Sequence, residues 1–426
     1  MIASLRGPLV AAAFVVGCGG EAVSKGTVDT QAAPAADTVV SAGKQSDSAA
    51  KTAVAADAVA TELPGTFLAW RESAPALAES KSDLRLGTVD YATTWIIIGD
   101  SLAVEFDRGT MSAGIRHLRT GSESRFGRSG RGPLEFSAQT TVARWNADSV
   151  ALVDRMVRRA TIVDVHTRGY RSFSFVEGDT SSLGEPIAAF GDSSMVFLSR
   201  EAQREHGVIG MYRSPIVLRV TEPESQRVLA SASIRGQSLI RVPIDKGAIL
   251  GAGPFALSPN IAAGNGELWW VPGGTDSLYK LHNAGTVFVG RVSIPAVRLT
   301  AREKKTFLES YLSRVKSRPE VDEAIARAVS IPDSASTLGA LSLGEDRTLW
   351  FRLAQIGIRD EGSVWIQARS NGTISRCFSI APFKRILAFG GHVAIVATRD
   401  TSDDTYSVAV TKLPSACPIG ALRFWK

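Results

Sequence analysis

The stretch Arg125-Phe126-Gly127-Arg128-Ser129-Gly130-Arg131-Gly132-Pro133-Leu134-Glu135-Phe136 decides how the rest of the chain is read. It enters a strand pattern that ends at Trp145, and Asn146-Ala147-Asp148 then reads as a turn. Ser149 to Asp154 reads as a second strand, Arg155 to Arg159 as a polar break, and Ala160 to Val165 as a third strand. Short strands at this turn-separated spacing are the unit of a repeated antiparallel sheet.

Gly127, Gly130 and Gly132 permit close backbone approach, Pro133 removes a ladder donor, and Phe136 supplies an apolar anchor where the next strand begins. The order Gly-x-x-Gly-x-Gly, followed by a strand and not a helix, does not fit a phosphate cradle. A structured loop is the reading that fits.

The run from Gly127 to Phe136, followed by Asp148-Ser149, Asp154-Arg155 and Arg158-Arg159, resembles bacterial six-bladed β-propeller proteins related to NHL repeats. The chain departs from that pattern at Leu134 and at Ala147, where the family carries glycine. The resemblance runs from about Leu84 to the C-terminus. It implies an all-β fold, a six-bladed propeller of four-stranded antiparallel blades, and says little about activity.

The turn recurs along the chain at Gly99-Asp100-Ser101, Asp148-Ser149, Asp192-Ser193, Gly266-Glu267, Glu345-Asp346 and Gly390-Gly391. Apolar runs such as Val150 to Val153, Met195 to Leu198 and Leu268 to Val271 follow it. Unbroken apolar runs mark strands covered on both faces, as in blades sandwiched between neighbours. Six units imply six blades within residues 64–426.

Two gaps between units are wide. One is expected to hold an extra outer hairpin, Val217 to Val220 and Arg227 to Ile234, with a long loop. The other is expected to hold a helical hairpin at 300–330. There Thr300 and Glu303 fit a capping box, as do Ser317 and Glu320 with Pro319 in the first turn. The insertion either packs over one propeller face or covers the central channel. The segment from Thr66 to Ala78 shows no clear pattern. A ring must also close, and the strand Arg85 to Asp90 has no partner of its own. It is expected to pair in the last unit, Ala388 to Leu413.

Residues 1–17 read as a lipoprotein signal peptide: Arg6 is followed by an apolar stretch, and small residues precede Cys18. Cys18 is the expected lipidation site, and an ordinary secretory signal with a chance cysteine is the alternative. Residues 18–63 have no aromatic side chain and read as a disordered tether. No apolar run beyond the N-terminus is long enough to span a bilayer. The expected location is therefore exported and membrane-anchored, at the outer membrane or in the periplasm. Cys377 and Cys417 are the other cysteines, and export favours a disulfide between them over two buried thiols.

The five histidines, His117, His166, His206, His282 and His392, show no metal-ligand spacing, and neither Gly-x-Ser-x-Gly nor His-Glu-x-x-His occurs. Asp400 to Asp404 lacks the glycine and glutamate of a calcium loop. No catalytic residue, cofactor or metal is assigned. Between Arg108 and Arg171 the chain carries twelve arginines, no lysine and five acidic residues, against a net charge of +6 for the whole. Arg125, Arg128, Arg131, Arg158 and Arg159 are candidates for contacting an anionic partner, an envelope protein or glycan. The alternative is that they pin loops through internal ion pairs. Nucleic acid is not expected, and a monomer is. Two functions compete: a lipid-anchored binding scaffold, and a lactonase- or lyase-like propeller enzyme acting on envelope glycans or peptides. An enzyme would place acidic or histidine groups at the channel mouth, and a binder an aromatic or charged rim.

Overall fold

The computed structural model describes residues 66–425 apart from 78–83, 90–92, 175–184, 192, 201–209, 214, 223–224, 226, 237, 245–246, 253–258, 274, 283–284, 316–330, 332, 345, 355–361, 401–404 and 420–421. The expected leader, Cys18 and the tether lie outside the described residues. So do the second insertion helix and most of Asp400 to Asp404.

Six four-stranded antiparallel sheets form a six-bladed β-propeller. Blade 1 is Thr94–Ile98, Leu102–Asp107, Ser112–His117 and Glu123–Phe126, from inside to outside. Blade 2 is Thr140–Arg144, Ser149–Asp154, Arg159–Asp164 and Tyr170–Ser174. Blade 3 is Glu185–Gly191, Ser194–Arg200, Ile216–Glu222 and Arg227–Ile234. Blade 4 is Asn260–Gly264, Glu267–Val271, Ser277–His282 and Gly285–Arg291. Blade 5 is Leu338–Leu343, Leu349–Ala354, Ser363–Ala368 and Ile374–Ile380. Blade 6 takes Lys384–Phe389, Val393–Arg399 and Tyr406–Lys412 from the C-terminal region and Leu84–Val89 from the start of the chain. Leu84 stands opposite Val410 and Val89 opposite Tyr406, so the expected closure by the early strand is what the ring uses.

The second strand of each blade explains the apolar runs. Side chains alternate across a strand, and both faces here meet a neighbouring blade. Val150 and Leu152 join Phe106 and Phe136 in the core between blades 1 and 2. Ala151 and Val153 join Met195 and Phe197 between blades 2 and 3. Val196, Leu218, Leu268 and Trp270 fill the next interface, and Trp350, Phe378 and Val396 the one between blades 5 and 6. Trp95, Ala103, Ile395 and Val408 seal blade 6 against blade 1. Fully burying one such side chain is worth about 1.5–3 kcal/mol, and each of these interfaces holds several.

Two parts of the sequence reading need correction. Val217 to Val220 and Arg227 to Ile234 are no extra hairpin; they lie in the third and fourth strands of blade 3. The second of these reads as surplus because an outermost strand is half-exposed, with only Ala232 and Ile234 buried. The surplus chain instead forms a separate three-stranded sheet of Gly210–Arg213, Ser238–Ile244 and Gly247–Ala252. The segment after Thr66, without a clear pattern in sequence, is a short helix, α1 (Phe67–Ser73), whose Thr66 hydroxyl accepts the Ala69 amide. Its Phe67 and Trp70 are buried with the C-terminal Phe424 and Trp425 against blades 4 and 5.

The insertion leaves through a small ladder of Ala296–Arg298 with Ser334–Ser336 and carries α2 (Ala301–Val315). The capping box is present: the Glu303 amide donates to Thr300 Oγ1 at 3.2 Å and the Thr300 amide to Glu303 Oε2 at 2.9 Å. Cys377 and Cys417 are joined by a disulfide with a Cα–Cα distance of 4.7 Å, tying the C-terminal tail to the outer strand of blade 5.

Candidate functional site

The glycine-rich loop links blade 1 to blade 2 and is built around one carboxylate. Glu135 accepts the Gly132 amide at 2.7 Å and Arg128 Nε at 2.9 Å. The amide, with the Arg128 guanidinium second, holds its pKa below the usual carboxylate range. Arg128–Ser129 pairs in parallel with Glu135–Phe136, which folds the loop back on itself. A Cβ on Gly130 would stand 2.2 Å from Glu135 Oε2, and one on Gly127 would stand 2.5 Å from the Phe136 ring. Two of the glycines are therefore spaces for the two side chains that end the motif. Phe136 meets Phe106 edge-on at 5.7 Å and anchors the loop in the core. Leu134, where related sequences carry glycine, adopts φ 53°.

Asp154 fastens the loop to blade 2. Its carboxylate accepts the Ser137 amide at 2.6 Å and the Ser137 hydroxyl at 2.7 Å, and also the amides of Met156 and Val157. Arg159 donates to the Arg131 carbonyl at 2.9 Å and to the Glu135 carbonyl. The structure thus gathers Arg128, Arg131 and Arg159 around Glu135. Arg158 lies exposed at φ 50° in the adjoining turn.

Arg125 turns elsewhere. It pairs with Glu105, Glu123 and, at 3.7 Å, Asp107. Arg116 adds contacts of 3.0 Å to both Glu105 and Glu123 and lies 5.8 Å from the Trp95 ring centre. Burial pushes the Glu105 carboxyl up, against the opposing pull of Arg116 and Arg125. Gly114 leaves the space: a Cβ there would stand 3.0 Å from Glu105 Oε1 and 3.1 Å from Glu123 Oε1. Nothing in the linear sequence marked Glu105, because its partners Arg116 and Arg125 lie on two other strands of the blade. Of the candidate arginines, Arg128 keeps its side chain 81% exposed while paired, against 39% for Arg125.

The inner strands of all six blades surround a central cavity of about 270 Å³. Trp95, Arg144, Ala189, Asn265, Ser342 and Phe389 line it, one from each blade. Arg144 donates to the Ile97 carbonyl of blade 1, which places its charge at the seam between blades 1 and 2. Among the described residues no group of three or more His, Cys, Asp or Glu could hold a metal ion, and no helix is long and apolar enough to cross a membrane.

No family model and no curated protein matches the chain. Solved structures resemble its fold. A DUF4221-family protein from Bacteroides vulgatus is 10% identical, with 81% of this chain and 100% of that one covered and a TM-score of 0.43. A Bacteroides fragilis protein described as exported is 9% identical, with 80% and 94% covered and a TM-score of 0.41. Streptogramin B lyase is 9% identical, with 79% and 100% covered and a TM-score of 0.36. Each is a likeness of architecture at very low identity and carries no statement about activity.

Proposed function

We propose that this chain is an exported, lipid-anchored member of the NHL-like propellers that serves as a binding scaffold in the bacterial envelope, meeting an acidic protein or anionic glycan through its arginine-rich loop. The observation that carries this reading is the bracing of that loop by Glu135 and Asp154. A surface held in one shape before contact loses less conformational freedom on binding. Arg128 and Arg131 are exposed on it, and Arg158 is exposed in the adjoining turn. The Cys377–Cys417 disulfide supports export, since such bonds persist in oxidising compartments. The small residues before Cys18 support the anchor.

Two measurements test the reading. Cys18→Ser protein should leave the membrane fraction; retention with unchanged processing ends the anchor claim. Binding to immobilised dextran sulfate should fall with salt and weaken in Arg128→Gln/Arg131→Gln/Arg158→Gln protein of unchanged melting temperature. Retention equal to the parent protein's would remove the loop from the binding surface.

A further inference from the structure

We propose that the arginine-rich end of blades 1 and 2 docks on an anionic lipid bilayer, with Met156 entering the headgroup layer and the arginines beside it meeting lipid phosphates. This rests on the reading of the glycine-rich loop as the contact face, and it narrows the partner to a lipid surface.

The first observation is an apolar tip. Met156 is 62% exposed, the highest value for a large apolar side chain among the described residues. It sits in the turn Arg155-Met156-Val157-Arg158, between Ser149–Asp154 and Arg159–Asp164. The turn does not need it. In blade 1 the matching turn is held by Asp107, which accepts the Gly109 amide at 2.8 Å and the Thr110 hydroxyl at 2.9 Å, and Gly109 and Thr110 are the exposed residues. In blade 2 Asp154 accepts the Met156 and Val157 amides at 3.0 and 3.2 Å, and a methionine takes the exposed place. Small and polar residues are the usual occupants of such a turn. A thioether chain fits there when an apolar medium covers it.

The second observation is the charge around that tip. Asp154 accepts the Ser137 amide, and Arg159 donates to the Arg131 carbonyl at 2.9 Å, so the turn and the glycine-rich loop form one surface. Arg128, Arg131 and Arg158 are exposed on it. Its two carboxylates are already engaged. Asp154 is buried and accepts backbone amides, and Glu135 accepts the Gly132 amide and Arg128, whose side chain stays 81% exposed. On blade 1, Glu105, Asp107 and Glu123 are taken up by Arg116 and Arg125. What the surface presents outward is therefore positive.

Charge alone suits any polyanion, and the tip separates one from another. A soluble glycan gives Met156 nothing apolar to enter. An anionic bilayer has acyl chains directly beneath its phosphates, so one contact covers the tip and pairs the arginines. The stretch from Arg108 to Arg171 carries no lysine, and the planar fork of arginine takes two phosphate oxygens at once. Each arginine close to such a surface should raise partitioning about fivefold, and burial of the methionine about tenfold.

The test uses protein beginning at Gly19, which lacks the leader and Cys18. It is sedimented with vesicles of phosphatidylcholine alone, or of phosphatidylcholine and phosphatidylglycerol in equal parts, and applied separately to immobilised dextran sulfate. Binding to the mixed vesicles should fall with salt, and phosphatidylcholine alone should bind none. Met156→Ser, at an exposed position and with unchanged melting temperature, should weaken vesicle binding roughly tenfold and leave dextran sulfate binding as it is. Met156→Trp should strengthen vesicle binding, since an indole favours the bilayer interface. The lipid partner is overturned by dextran sulfate binding without vesicle binding, which leaves the loop as a contact face for a soluble anion. It is also overturned by Met156→Ser protein that binds mixed vesicles like the parent. If neither vesicles nor dextran sulfate are bound, the reading of the loop as a contact face falls as well.

Discussion

The carboxylate of Asp100 accepts the backbone amide of His392 at 2.9 Å, across 292 residues of chain. The bond joins the first hairpin turn of blade 1 to that of blade 6 and seals the inner end of the ring's closing seam. Gly390 and Gly391 make the approach feasible: a Cβ at Gly390 would lie 2.5 Å from Asp100 Oδ1. Asp100→Ala should cost about 1.5–3 kcal/mol, as expected for a hydrogen bond to a charged group. In the Asp100→Ala background, Gly390→Ala should cost less than it does alone, and a double-mutant cycle in urea measures the coupling. Strict additivity would show that the two turns do not press on one another.

At the outer end of the same seam, removing residues through Val89 deletes the strand Leu84–Val89 with its buried Leu86, together with α1 and its buried Phe67 and Trp70. Tyr406–Lys412 then becomes an open edge. Thermal melting should drop steeply, by roughly 3 kcal/mol or more in stability, with aggregation on standing. Deletion of 19–63 alone should leave the melting temperature almost unchanged. Equal melting of the two deletions would contradict this account of closure.

Gly130→Ala tests the loop around Glu135. Its backbone lies at φ +149°, and the new methyl would meet the carboxylate at 2.2 Å. A destabilisation of about 2 kcal/mol or more is expected. It should come with loss of the Gly132–Glu135 hydrogen bond, visible as faster exchange of the Gly132 amide. Wild-type stability would mean the carboxylate has an alternative seat.

Reducing Cys377–Cys417 opens a loop with a sequence separation of 40. In the chain-entropy model the bond is worth about 4 kcal/mol. The melting temperature should fall under reductant, and the mass should rise by two hydrogens. Labelling of both thiols in protein isolated without reductant would overturn the assignment.

Glu105 and Glu135 should respond to pH in opposite senses. The pKa of Glu105 is raised on folding, so the folded state holds its proton more tightly, and stability is lost as pH rises from the unfolded value of about 4.5. Glu105→Gln should therefore gain on the parent protein progressively from mild acid towards neutrality. The pKa of Glu135 is lowered, so its contribution is present above the unfolded value and disappears as pH falls. Glu135→Gln should be destabilised at neutral pH and match the parent in acid. Urea midpoints between pH 3 and 8 separate the two; parallel curves would refute both assignments.

The sequence made the propeller legible because its second strands bury both faces. Val150 to Val153 and Leu268 to Val271 could be read as sandwiched strands without knowing their neighbours. Closure by the early strand followed from counting edges. The helix α1 was not legible: its seven residues hold only two buried side chains, and their partners Phe424 and Trp425 lie at the other end of the chain. The exposed outer strand Arg227–Ile234 was misread because it lacks the apolar pattern that marks inner positions. The arginines could be selected by density alone. Their division between Glu105 and Glu135 depends on cross-strand placement that linear spacing does not reveal.

Blade 6 makes the fold a check on its own completeness. The strand synthesised first, Leu84–Val89, finds its partner only when Tyr406–Lys412 has emerged, and Cys377 finds its partner only at Cys417. A chain broken off late in synthesis would present an unpaired strand and an unpaired thiol together, leaving it open to proteolysis and to mixed disulfides. Only a chain that runs through Cys417 withdraws both features, so resistance to proteolysis would itself select for finished molecules.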